Sequence, residues 1–363
     1  MDEGERSLIG ERLRGSGLDG ATIGSFADAL GDPCLVLDRR ALVVYRNAAA
    51  AEQFPDVLAG RPLAFALRQP ALLAAVEAAR RTAQAQTIEM HQTVPNETWH
   101  KVTVAPLGAR QPGGGEPAAL VVILQSQTEA RRIEALRTDF IANVSHELRT
   151  PLASLVGFID TLLGPAARDA EARERFLGIM RQQAGRMSKL IDDLLSLSRI
   201  EMRQHVRPTG TVDLAALLKE VGEGLLGRAN EASATLTVTV PEGPAEVTGD
   251  RDELYEVFEN LVDNAIKYGG SGGEVEVELR AAEKRPGFAY LVSVVDHGAG
   301  IPAEHVPRLT ERFYRVDAES SRRKNGTGLG LAIVKHILNR HHGLMAIRSA
   351  PGEGTRIEVL LPR

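Results

Sequence analysis

Two long apolar seams, back to back in the middle of the chain, constrain this fold more than any other feature. In the first, Ile141, Val144, Leu148, Pro151, Leu155, Phe158 and Leu162 recur at alternating spacings of three and four. That is the pattern of one helix face packed against other helices. In the second, Phe176, Met180, Gln183, Met187, Leu190, Leu194 and Leu197 step by four and three throughout, a sustained heptad. Gly164-Pro165 ends the first run, and the second is expected from about Asp169 to Glu201. Neither helix of such a hairpin can bury its seam alone. Two hairpins forming a four-helix bundle solve the problem, so a homodimer is expected. A single hairpin packed on its own neighbours is the alternative, and it leaves apolar surface uncovered.

The first helix carries a reactive candidate. His146 lies two residues from both Val144 and Leu148, so the helical turn points it away from the seam toward solvent. Glu147 follows it, and Thr150 stands one turn along the same face. Pro151 is expected to kink or loosen the helix there. Taken alone, a His-Glu pair on a helix also fits a plain solvated surface. Its chemistry nevertheless suits reaction. An imidazole of ordinary pKa, about 6.5, is a competent nucleophile near neutral pH. Glu147 could accept the ring proton or orient the tautomer.

The string Phe140-Ile-Ala-Asn-Val-Ser-His-Glu-Leu-Arg-Thr-Pro-Leu152 resembles the phosphoacceptor box of bacterial sensor histidine kinases nearly letter for letter. The resemblance implies that His146 is phosphorylated. It also implies that Thr150 helps place a water that dephosphorylates the partner protein, giving phosphatase as well as kinase activity.

Composition narrows the remaining choices. A chain of 363 residues is expected to hold two or three domains, and its 43% hydrophobic content is enough for real cores. A net charge of −5 with mixed signs leaves no nucleic-acid footprint, so no direct nucleic-acid partner is expected. A single cysteine, Cys34, excludes an intramolecular disulfide and fits a reducing cytosol. Its setting, Pro-Cys-Leu-Val-Leu-Asp, reads as a buried strand. The longest apolar stretch, Ala118 to Leu124, is strand-sized and far short of the roughly 18 residues of a membrane span. Met1 to Arg14 lacks the apolar run of a signal peptide. The expectation is a cytoplasmic chain without a membrane span, or the cytoplasmic part of a membrane-bound sensor tethered upstream.

After an N-terminal segment, 1–22, short strands surround helices as far as Gln127. Cys34–Asp38 and Leu42–Tyr45 read as strands turning at Arg39-Arg40, and Asn47 as the N-cap of a short helix. Leu72–Arg81 reads as a helix, and Thr87–Val94, Thr98–Ala105 and Ala119–Gln125 as strands. A loop, Gly108–Pro117, joins the last two and is marked as mobile by its glycines and prolines. Five strands with helices between the second and third resemble a PAS sensor domain. His91 and His100 fall on strands and read as surface or structural histidines, and Trp99 as core; a ligand-free, dimerising or signal-relaying domain is expected. Glu129–Arg137 leads into the His146 helix without a breaker, so a shift in the sensor domain could pass into it.

From Pro208 onward, helices alternate with strands as in an α/β sandwich, helices on one sheet face. Asn260 and Asn264 stand one turn apart, followed by Lys267 and Tyr268. Amide oxygens are hard ligands suited to Mg²⁺, Lys267 offers charge for phosphates, and Tyr268 a flat face near a nucleotide. A polar helix face is the plainer explanation, but asparagines are poor mid-helix residues. Asp296 ends a strand before Gly298 and Gly300; its carboxylate could accept from a purine amino group while the backbone comes close. Arg312-Phe-Tyr-Arg-Val-Asp317 introduces Ala318–Asn325, expected to be a mobile lid, and Gly326-Thr327-Gly328-Leu329-Gly330 follows. Those glycines are expected to open a helix whose free N–H groups favour phosphate.

In this order the motifs resemble the Bergerat-type ATPase domain shared by histidine kinases, a heat-shock chaperone and type II topoisomerases. The resemblance implies ATP and Mg²⁺ as cofactors, Asn264 as principal Mg²⁺ ligand, and Asn260 as a second polar group. It places Lys267 and Tyr268 at phosphate and adenine, and Asp296 at the adenine amino group. His297 stands where Asn is more usual and is expected to matter little. His341-His342 could be a metal pair, but a structural role fits the family better.

The expected architecture is a multidomain α+β chain: a PAS-like α/β domain (23–127), a dimeric helical-hairpin phosphotransfer domain (128–205) and an α/β-sandwich ATPase domain (206–363). Its order most resembles the phosphate-regulon sensor kinases. The expected activity is autophosphorylation of His146 from ATP, then transfer to an Asp of a response regulator. Two other readings compete. An ATPase that moves itself wants a carboxylate where Asn260 stands, and a non-catalytic scaffold has no need of every polar group in the site.

Overall fold

The computed structural model describes residues 20–93, 97–107, 117–203, 205–269, 273–283, 285–317 and 326–363. The expected lid at 318–325, most of the Gly108–Pro117 loop and the start of the N-terminal segment lie outside the described residues. The chain divides into two compact units, Met1–Asp139 and Phe140–Arg363.

The first unit runs α1 (Gly20–Asp28), β1 (Cys34–Asp38), β2 (Val43–Arg46), α2 (Ala48–Gln53), α3 (Leu63–Ala66), α4 (Pro70–Thr82), β3 (Gln86–Gln92), β4 (Thr98–Leu107) and β5 (Ala119–Ser126). The strands make one antiparallel sheet in the order β2-β1-β5-β4-β3. Asn47 is the expected N-cap and does more than cap. Its Oδ1 accepts from the amides of Ala50 and Cys34, each at 2.9 Å, and its Nδ2 donates to the carbonyls of Ala27 and Asp32. One buried amide thus ties α1, β1 and α2 together, satisfying groups that would be costly unpaired.

Strand β1 is covered on both sides, Leu35 and Leu37 facing α4 and its neighbours, Cys34 and Val36 facing the other cluster. Burial pushes the Cys34 thiol up to about 11, which leaves it an inert core side chain. On β4 the alternation sends His100, Val102 and Val104 inward. Trp99 therefore points the other way, and the expectation of a core tryptophan is corrected. Its ring stacks on His91 at 3.9 Å, and the Arg131 guanidinium lies 4.6 Å from the ring centre.

Helix α5 (Thr128–Leu163) runs through Pro151 without a break. A proline removes one bond from the ladder, and the half-buried seam on either side holds the helix across the gap. Helix α6 (Ala170–Met202) starts at Asp169, whose carboxylate accepts from the Ala172 amide at 2.9 Å. The seam residues of both helices are buried or half-buried except Ile141. A second stripe stays exposed: Leu152, Val156, Ile159, Leu163, Leu177, Ile191 and Leu195.

The second unit continues with β6 (Thr211–Asp213), α7 (Leu214–Glu231), β7 (Thr235–Thr239), β8 (Glu246–Thr248), α8 (Arg251–Tyr268), β9 (Glu274–Ala281), β10 (Tyr290–Asp296), α9 (Gly330–Arg340), β11 (Leu344–Ala350) and β12 (Gly354–Leu361). Its main sheet has the order β11-β12-β10-β9-β7, with only β7 and β9 parallel. On β9, Val275, Val277 and Leu279 are buried while Glu274, Glu276 and Glu278 are exposed, so one face alone is covered. Helices α7, α8 and α9 supply the cover, with Phe258, Leu261, Ile333 and Ile337 fully buried. Leu190, Leu197 and Ile200 of α6 belong to the same core cluster. The hairpin and the α/β sandwich therefore share apolar packing within this unit.

Candidate nucleotide site

A cavity of about 350 Å³ opens in the second unit where α8, β10 and the segment leading into α9 meet. Asn260, Asn264, Lys267, Tyr268, Asp296, Gly300, Gly326, Thr327, Gly328 and Gly330 all line it. Helix α8 presents the first four of these because much of its remaining surface is spent on the core: Leu254, Val257, Phe258, Leu261 and Ile266 are buried. Asp250 starts the helix by accepting from the amides of Asp252 and Glu253. The Asn260 amide donates from Nδ2 to the Glu256 carbonyl at 2.9 Å. Its Oδ1 lies so close to α9 that a Cβ on Gly330 would sit 2.7 Å from it.

Asp296 is 7% exposed, and burial raises its carboxyl above the usual range, opposed by hydrogen bonds from Gly298 and Thr355. The Gly298 amide donates to its Oδ1 at 2.9 Å. Gly300 has φ +68, and a Cβ there would lie 1.8 Å from the Ala350 carbonyl oxygen, so only glycine fits. Two expected site residues do not line the cavity. Gly298 stands behind Asp296, and Leu329 is fully buried in the core. Helix α9 begins at Gly330, so Gly326 and Gly328 precede it as loop.

Lys267 is paired rather than loose. Its Nζ donates to Asp263 Oδ2 at 2.6 Å, Arg228 donates to Oδ1 at 2.9 Å, and Lys189 Nζ lies 3.6 Å from Oδ2. Burial works to raise the Asp263 carboxyl, but Lys267, Lys189 and Arg228 hold it below its ordinary value. Burial lowers Lys267 against the pull of Asp263. The arrangement sets two ammoniums, Lys267 and Lys189, beside the Asp263 carboxylate in one wall of the cavity.

The sequence reading missed a polar stripe on α6. Arg186, Lys189, Asp193 and Ser196 recur at spacings of three and four, as regularly as the apolar seam. Arg186 donates to Glu147 at 3.1 Å, and Asp193 accepts from the Thr327 hydroxyl at 2.6 Å. Ser196 donates to the Glu256 carboxylate at 2.6 Å. Burial raises the carboxyls of both Asp193 and Glu256. The periodicity was a signal, but polar residues at helical spacing ordinarily face water.

Arg315 was also missed. Its guanidinium donates to Glu147 Oε2 at 3.1 Å and to the Thr327 carbonyl at 2.8 Å. Phe313 packs on Phe140 at 5.8 Å. The segment before α9 therefore touches α5 beside His146. His146 and Thr150 are exposed, as expected, and the Thr150 hydroxyl donates to the His146 carbonyl at 3.2 Å.

Two other histidines resolve simply. His341 is buried, its Nδ1 2.8 Å from the Ile337 carbonyl and its Nε2 accepting from the Asp250 amide at 3.0 Å. Burial lowers its pKa, so His341 is part of the core packing, while His342 is exposed. His297 is exposed, 3.3 Å from Glu276, and outside the cavity lining. No described helix is long and apolar enough to cross a membrane.

Comparison with known proteins agrees with the geometry. Residues 136–203 match the His Kinase A (phospho-acceptor) domain, and residues 249–363 the histidine kinase-, DNA gyrase B- and HSP90-like ATPase. The phosphate regulon sensor protein PhoR of Pseudomonas aeruginosa is 41% identical over 236 residues, covering 65% of this chain and 52% of that protein. The sensor protein kinase WalK of Staphylococcus saprophyticus is 37% identical over 245 residues, covering 67% of this chain and 39% of its own length. This chain thus spans about half the length, or less, of these curated relatives. In fold, histidine kinase ThkA, solved in complex with response regulator protein TrrA, covers 93% of this chain and 97% of its own at a TM-score of 0.52 and 18% identity. With a phospho-acceptor domain and an ATPase domain in this order, the chain belongs to the sensor histidine kinases.

Proposed function

We propose that the protein is an ATP-dependent protein-histidine kinase of a two-component system. The observation that carries the reading is the shared wall: one helix, α6, grips both the cavity, through Asp193 and Thr327, and the acid beside His146, through Arg186. ATP enters with adenine at Asp296 and phosphates toward Asn260, Asn264, Lys267 and the amides that open α9. The neutral imidazole of His146 attacks the γ-phosphorus as its bond to the β-phosphate oxygen breaks. ADP leaves, and Glu147 takes the ring proton. The amide oxygens of Asn264 and Asn260 fit Mg²⁺, which would neutralise phosphate charge. Every other contribution is positioning.

The phosphoryl group then passes to an Asp of a response regulator, and Thr150 helps place a water that attacks that aspartyl phosphate, breaking the acyl–phosphate bond and releasing inorganic phosphate. The exposed stripe on α5 and α6 supports a homodimer built as a four-helix bundle. The sheet order β2-β1-β5-β4-β3, with helices between β2 and β3, supports a PAS sensor domain over 23–127, followed by phosphotransfer (128–205) and catalytic (206–363) domains. Similarity to PhoR supports a phosphate-regulon role, with the kinase on the cytoplasmic side.

Incubation with γ-labelled ATP and Mg²⁺ tests the reading. Acid-labile, base-stable label on the wild type, lost in His146→Ala and Asn264→Ala, is expected. Label persisting in His146→Ala overturns the phosphoacceptor assignment. Free phosphate without label points to an ATPase.

A further inference from the structure

Lys189 is the one side chain of the hairpin, among the described residues, that lines the nucleotide cavity. Its position on α6 is not accidental to the packing. Arg186, one turn before it, holds Glu147, and Asp193, one turn after it, holds Thr327. Those two contacts fix the helix at both sides of Lys189 and aim its ammonium at the cavity wall.

Asp263 does not use up that charge. The carboxylate is only 6% exposed in its side chain and already takes short bonds from Lys267 at 2.6 Å and Arg228 at 2.9 Å. Lys189 stands off at 3.6 Å, beyond ordinary hydrogen-bond reach. Lys189 and Lys267 both line the cavity beside Asp263, whereas Arg228 bonds that carboxylate from outside the lining. A polyphosphate in the cavity gives the Lys189 ammonium closer oxygen partners than Asp263 does, and a compact ammonium on a flexible stem suits it.

We propose that Lys189 binds the phosphate chain of the nucleotide, so that the cavity is completed by the hairpin helix and not by the α/β sandwich alone. The inference rests on the nucleotide reading above. It makes docking of α6 part of the binding equilibrium: nucleotide and hairpin each favour the arrangement in which Asp193 meets Thr327.

The test uses the full chain and calorimetric titration with ADP and with adenosine, in Mg²⁺. Lys189→Gln keeps helix propensity at a part-exposed position, and equal thermal midpoints check its fold. It is expected to weaken ADP binding about tenfold, the scale of one charged hydrogen bond, and to leave adenosine within about twofold. Lys189→Arg restores most of the ADP affinity. Unchanged ADP affinity in Lys189→Gln, or parallel loss of ADP and adenosine, overturns the assignment. If the wild type binds ADP and labels His146 while Lys189→Gln behaves identically, the role of Lys189 falls alone. If the wild type binds no ADP, the nucleotide reading falls with it.

Discussion

Arg315 and Glu147 are separated by 168 positions in the chain and by 3.1 Å in the fold. The guanidinium is 7% exposed, and it joins the acid next to His146 to the carbonyl of Thr327 at the cavity. A buried charge with two anchors of this kind holds geometry as much as it supplies energy. In this arrangement the acid beside His146 and the glycine-rich wall of the cavity are tied together through one side chain.

Arg315→Ala is therefore expected to slow labelling of His146 by about 10²-fold, the cost of misplacing reactive groups by an ångström or so. ADP affinity should fall much less. Initial labelling rates beside calorimetric ADP titrations separate the two. Equal losses in both would mean that Arg315 serves binding and positions nothing.

Asp296 gives the site a pH dependence. Burial raises its carboxyl, and only the ionised form can accept from an amino group without also donating. Adenosine binding should weaken as pH falls through that raised range. In Asp296→Asn the affinity should be lower by about tenfold or more and flat with pH, because a buried partner is left mispaired. Titration of adenosine between pH 7 and pH 5 would decide it. A sloping profile in the variant would assign the proton to another group.

His100 makes the first unit sensitive to acid. It is 2% exposed, neither ring nitrogen has a hydrogen-bond partner among the described residues, and burial lowers its pKa from 6.5. Below the unfolded value the unfolded chain binds a proton that the folded chain refuses, so stability falls as pH drops. The contribution is fully present above about pH 6.5. His100→Phe should stabilise the unit by about 1 kcal/mol at neutral pH, since it removes unpaired polar atoms. It should also flatten the loss between pH 6.5 and 5.5. Trp99, the only tryptophan in the chain, reports the unfolding of this unit. An unchanged slope in the variant would clear His100.

The exposed stripe on the hairpin predicts the oligomer. Leu152 is 52% and Val156 50% exposed, on a face left uncovered among the described residues. Leu152→Glu with Val156→Glu should convert a dimer to a monomer by light scattering, with the α-helical signal retained. A wild-type monomer, or a dimer untouched by the pair, would remove the four-helix bundle.

The sequence by itself determined the helical hairpin, the α/β sandwich and most of the cavity wall. The heptad of α6, the capping residue Asn47, and the Asn260–Tyr268 string all act over one or two turns, so local spacing is sufficient to read them. It could not place Trp99, because the side of β4 that faces the core depends on how that strand pairs with β3 and β5. Nor could it show that Lys267 is shared with Asp263, or that Lys189, Asp193 and Arg315 meet the site at all. Those contacts join elements far apart in the chain. Polar side chains at helical spacing look the same whether they meet water or another element. Only tertiary packing, which seats α6 against the sandwich core through Leu190, Leu197 and Ile200, decides which of them face the cavity.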